Sequence, residues 1–74
     1  MKVTTNTTKD DFIKALYNGD THFTDSERKK YFSILSIDSE LNAVIQTDKN
    51  LLYVSGTKHA LARLFSLWQI GELY

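Results

Sequence analysis

Gly56-Thr57-Lys58-His59 stands between an apolar run, Leu51–Val54, and a strongly apolar helix-like stretch that begins at Ala60. Strand, glycine, cation and helix start, in that order, is how many anion-binding sites are built. The first N–H groups of a helix point outward, its dipole favours negative charge, and Lys58 adds a full charge. A P-loop, however, needs G-x-x-x-x-G-K-[ST], and this corner holds a single glycine. The simpler reading is a β-to-α turn. Gly56 allows a sharp exit, Ser55 or Thr57 caps the helix, and Lys58 and His59 are solvated. Gly56, Thr57, Lys58 and His59 thus form a weak candidate site for phosphate or a small ligand.

The remaining reactive side chains are scattered. His22 and His59 are the only histidines, and no cysteine is present. A catalytic or metal-binding histidine needs partners. Asp20 and Asp25 flank His22 in sequence, which is too little for a metal site. No serine or threonine sits in a recognisable nucleophile motif. Asp10-Asp11 and Asp38/Glu40 are paired acids, but capping and loop solubility account for them more simply than acid–base catalysis. The expectation is no enzyme, no cofactor and no metal. Arg28-Lys29-Lys30 is the basic cluster, and with Lys58 and Arg63 it could form a patch for nucleic acid, Tyr31 stacking on a base. Asp25 and Glu27 dilute that field, so a solvated helix face is the competing reading.

Whole-chain properties narrow the field. Seventy-four residues make one domain near the lower limit of independent folding, with no disulfide or zinc to help. Four Phe, four Tyr and one Trp supply core material. Nine basic and nine acidic residues cancel, which lowers the prior for phosphate-driven DNA binding and argues equally against an acidic DNA mimic. The start MKVTTNTTKDDF lacks the apolar core of a signal peptide. No apolar run approaches the ~18 residues of a membrane span. A soluble, cytoplasmic protein is expected, with no membrane partner.

The elements that must position these residues follow from periodicity and caps. Residues 1–6 read as a flexible tail, or a short edge strand begun by Val3, ahead of a single domain over 7–74. Residues 8–18 read as a helix: Thr8 and Asp11 form a variant capping box, Phe12/Leu16 and Ile13/Tyr17 are i,i+4 pairs, and Gly19 closes it. Residues 24–37 are ambiguous. Thr24-x-x-Glu27 is a capping box, and Ser26, Lys29, Lys30, Ser33 and Ser36 fall on one helical face, which favours helix. Tyr31–Ile37 is also rich in strand formers, although strict alternation fails. Residues 42–55 read as a hairpin with arms 43–47 and 51–54 around Asp48-Lys49-Asn50. The final helix carries the stripe Leu61, Leu64, Phe65, Trp68, and Gly71 ends it with Leu73 packing back. Trp68, Phe65 and Tyr53 are the expected core anchors.

The fold expected is therefore α+β, in the order ααββα, with αβββα and a three-stranded antiparallel meander as the alternative. The last helix has more apolar surface than a hairpin and short helices can cover, and leftover apolar area marks interfaces. Leu67, Trp68, Ile70, Leu73 and Tyr74 are the interface candidates. Two functions are weighed ahead of the phosphate module. The first is a small interaction protein, an adaptor, inhibitor or antitoxin-like factor of the phage or mobile-element kind, binding another protein or a second copy of itself. The second is a nucleic-acid-binding regulator using Arg28, Lys29, Lys30, Lys58 and Arg63.

Overall fold

The computed structural model describes residues 1–73. It is an α+β domain in which two helices cover one face of a four-stranded antiparallel sheet. Helix α1 spans Lys9–Tyr17, strands β1 to β4 span His22–Asp25, Lys30–Ile37, Ala43–Thr47 and Leu51–Val54, and helix α2 spans Lys58–Gln69. The strands lie in chain order, joined by hairpins, so every pairing is local. Tyr74 falls outside the described residues.

Both helices form where the caps direct. Thr8 Oγ1 accepts the Asp11 N–H at 3.2 Å and Asp11 Oδ2 accepts the Thr8 N–H at 2.9 Å, the reciprocal capping box. Thr57 Oγ1 accepts the Ala60 N–H at 3.0 Å at the start of α2. Both helices end in Schellman motifs: the Asp20 N–H reaches the Ala15 carbonyl and the Glu72 N–H reaches the Leu67 carbonyl. Leu73 then packs back against the core.

The sequence reading fails between residues 24 and 37. The order is αββββα, and the segment favoured as a second helix is the β1–β2 hairpin. Thr24, the expected cap, lies within β1, and its neighbour Asp25 makes a cap-like contact in its place. Asp25 Oδ1 accepts the Arg28 N–H at 3.0 Å, the spacing of a helix N-cap. The turn it starts does not propagate, because Lys29 adopts a left-handed conformation, φ 55°, and the chain reverses into β2. Alternation in β2 fails for an equally local reason. Ile34 pairs with Ile45 but Ser36 pairs with Val44, so Leu35 is an extra, bulged residue. Phe32 and Ile34 face the helices before the bulge, and Ile37, opposite Ala43, returns to that side after it.

The core is an aromatic cluster that joins both helices to the sheet. Phe12 of α1 and Phe65 of α2 stack with centroids 4.4 Å apart, and both touch Phe23 and Phe32, a cross-strand pair on β1 and β2. Trp68 packs on Phe32 and Phe65, and Leu61, Ile45 and Thr47 are also fully buried. Tyr53, expected among the anchors, is instead exposed. Every apolar residue of β4 looks alike in sequence, and the register sends Leu52 and Val54 to the helix side and Tyr53 to the other. Residues 1–6 contribute more than a tail. Val3 is buried, its N–H donates to the Thr24 carbonyl at 2.7 Å, and the Thr24 N–H donates to the Met1 carbonyl at 3.1 Å. This segment closes the outer edge of β1 as a short parallel strand.

Candidate interaction surface

The two helices cover one side of the sheet, and the other side is left open. Cross-strand pairing assigns its rows. His22, Ser33, Gln46 and Leu51 form one, and Ser36, Val44 and Tyr53 form the next, with Thr24 and Tyr31 beyond the first. Four large apolar side chains stand out of this face: Tyr53 at 77 % exposure, Leu35 at 59 %, Leu51 at 50 % and, less so, Tyr31. Alternation after Ile34 points Leu35 outward, and the bulge keeps Ser36 on the same side. Tyr53 rises between two shallow grooves. One, of about 470 Å³, is lined on its sheet side by Ser36, Val44 and Tyr53; the other, of about 380 Å³, lies between β4 and the Ala60, Arg63, Leu64 and Leu67 side of α2.

Some polar groups on this face are already paired, Gln46 with the Thr47 and Asn50 carbonyls among them. Ser33 Oγ lies 2.8 Å from His22 Nδ1 across β1 and β2. That is the spacing of a nucleophile and its base, with Ser33 itself buried. His59, at the far end of the molecule's chain order, is exposed in the first turn of α2. No group of three metal-ligating side chains forms among the described residues.

The structure separates the basic residues. The α2 segment has no basic residue in its own last turn, and the β1–β2 hairpin supplies the charge instead. Lys30 Nζ donates to the Trp68 and Gln69 carbonyls, and Arg28 Nη1 donates to the Gln69 carbonyl. These cations therefore satisfy the orphan carbonyls and meet the negative end of the helix dipole. Lys30 also stands over the Trp68 ring, 4.8 Å from its centroid. Burial holds the Lys30 ammonium below its ordinary pKa and Arg28 adds to that, while Asp25 and Asp48 oppose it. Lys29 sits at the tip of the hairpin turn. Lys58 begins α2, about 18 Å from its other end by helix geometry, and Arg63 lies between on the exposed side. Arg28 and Lys30 thus serve the fold at one end of α2, and Lys58 stands at the other.

The corner Gly56–His59 is the β-to-α turn. Gly56 takes φ 101°, a left-handed value that disfavours other residues, and so turns β4 into α2. Thr57 occupies one of the free helix N–H groups, and Lys58 and His59 are exposed.

The interface candidates on α2 divide likewise. Trp68 is buried at 3 % exposure and belongs to the core, which corrects its place among them. Leu67 is half-buried beside the β4 groove, Leu73 packs against the core and Ile70 is exposed. Tyr74 lies outside the described residues. The large exposed apolar side chains missed as surface, Leu35, Leu51 and Tyr53, come from the sheet. Their only sequence signal was the broken alternation of β2 and the all-apolar β4.

No protein-family model, curated protein or solved structure matches this chain. No helix among the described residues is long and apolar enough to cross a membrane.

Proposed function

We propose that this chain is a non-catalytic interaction protein that binds another protein through the open face of its sheet. The observation that carries the reading is the exposure of Leu35, Leu51 and Tyr53 on the side the helices leave uncovered. Aromatic and aliphatic side chains interspersed with the polar Ser36 and Gln46 on one sheet face have the mixed composition of a protein-binding surface. An adaptor, an inhibitor and an antitoxin-like factor would all use such a surface, since each acts by occupying a partner. The dispersed cations and balanced charge give phosphate contacts less to work with.

The test compares immobilised wild-type chain with the double variant Leu35→Glu/Tyr53→Lys in native lysate. Both positions are exposed, so the variant keeps its fold, which circular dichroism checks. The expected result is a protein retained by the wild type and lost by the variant. Retention of nucleic acid that weakens steeply with salt, or of the same proteins by both chains, refutes the reading.

A further inference from the structure

The two edges of the sheet are treated differently. Residues 1–3 cover β1, but β4 has no backbone partner on its outer side among the described residues. Ladder geometry identifies its free groups. The Thr47 N–H donates to the Asn50 carbonyl at 2.8 Å, so Thr47 and Asn50 form a hydrogen-bonded pair. Such pairs alternate along an antiparallel ladder. Leu52 and Val54 therefore bond to β3, and the N–H and C=O groups of Leu51 and Tyr53 point outward from the sheet. These are also the β4 residues whose side chains stand exposed.

Edge strands ordinarily carry a lysine, a proline or a bulge that prevents pairing with another chain. From Asn50 to Thr57 this chain has no charge and no proline, and the β3–β4 register is regular. We infer that β4 is a pairing edge and that its occupant is β4 of a second copy, which extends the sheet across a two-fold axis. The required partner strand must be antiparallel, uncharged and apolar on both sides, and Leu51–Val54 is itself such a strand. With the axis at Leu52, Leu51 of each copy faces Tyr53 of the other, and the outward N–H and C=O groups of both residues are satisfied reciprocally. Leu–Tyr pairs then form on the open face, Leu52 meets its own copy on the helix side, and Lys49 faces Ser55, so no like charges oppose. The chain's net charge of zero leaves no long-range repulsion between copies.

This inference deepens the reading of the open face as an interface, and makes that face continuous across two chains. Sedimentation of the full chain over rising concentration should show the mass moving from one chain towards two. Tyr53→Lys should weaken the association by about tenfold or more, since the change enters the interface twice. The cysteine-free sequence permits a register test. Leu51→Cys mixed with Tyr53→Cys should form an intermolecular disulfide under mild oxidation more readily than either variant alone, because the two positions face each other across the axis. A chain that stays monomeric at every concentration overturns the inference, as does a dimer that is insensitive to Tyr53→Lys and shows no preference for the mixed disulfide. A strict monomer that still captures a protein through Leu35 and Tyr53 refutes the pairing and leaves the proposed function standing. A β4-paired dimer that captures none does the reverse.

Discussion

At the scale of single residues, the least legible feature was Lys30. In sequence it belongs to a basic cluster beside Arg28 and Lys29, the natural place to look for phosphate contacts. In the folded chain its ammonium closes the C-terminus of a helix some forty positions away, over the ring of the only tryptophan. No local pattern contains that information, because the hairpin must form and dock before Lys30 meets α2. The arrangement has a testable size. Lys30→Met keeps most of the apolar stem but removes the charge, both hydrogen bonds to the last carbonyls and the contact with the ring face. The expected loss is about 1–2 kcal/mol, summed from a helix-dipole interaction and charge-assisted hydrogen bonds, with Arg28 retaining part of the cap. Urea unfolding followed by Trp68 fluorescence measures it. Unchanged stability would show that solvent caps the helix equally well.

At the scale of elements, what the sequence disclosed depended on whether the signal was local. Helices α1 and α2 and the β3–β4 hairpin were legible because caps, periodicity and turn residues agreed within each segment. The β1–β2 hairpin was not, because Thr24-x-x-Glu27 imitates a helix cap and β2 carries apolar residues on both sides, with a bulge that returns Ile37 to the helix side. The surface was hidden for a related reason: β4 is apolar on both sides, so only its register shows that Tyr53 looks away from the core. Two of the local signals are ionic and titrate. Asp11 is held below the usual carboxylate range chiefly by the Thr8 backbone N–H, then by the Thr8 hydroxyl. Asp38 is held down by the Asn42 backbone N–H, then its side-chain amide, with the Glu40 N–H adding to both. A carboxyl whose folded pKa lies below its unfolded value stabilises the fold above the unfolded value. That contribution is lost as pH falls through the folded one. Stability should accordingly decline as the pH falls through and below the usual carboxylate range, and Asp11→Asn and Asp38→Asn should each flatten that part of the curve. Urea midpoints across the range test this; parallel curves for variants and wild type would place the acid sensitivity elsewhere.

At the scale of the whole molecule, the α+β class was legible from the mixture of periods, while the layer arrangement was not. The reading placed excess apolar surface on α2, on the premise that a single hairpin had to cover it. The actual sheet has four strands, enough to bury the stripe of Leu61, Phe65 and Trp68 completely and to leave the surplus on its own far side. One consequence is that a single aromatic cluster holds everything together. Phe65 touches a residue of α1, of β1 and of β2 and lies beside Trp68 in α2, so all its aromatic contacts but that last one are tertiary. A chain of this size has a stability of about 4–11 kcal/mol by the usual per-residue range. Phe65→Ala opens a cavity that no single layer can close and should cost about 3–5 kcal/mol, a large share of that total. Leu35→Ala, at an exposed position of the sheet, should change it by less than about 0.5 kcal/mol. Thermal and urea unfolding of the two variants discriminate sharply. Comparable losses would mean that the open face is buried in solution, and a small loss at Phe65 would mean that the layers are held by something other than this cluster.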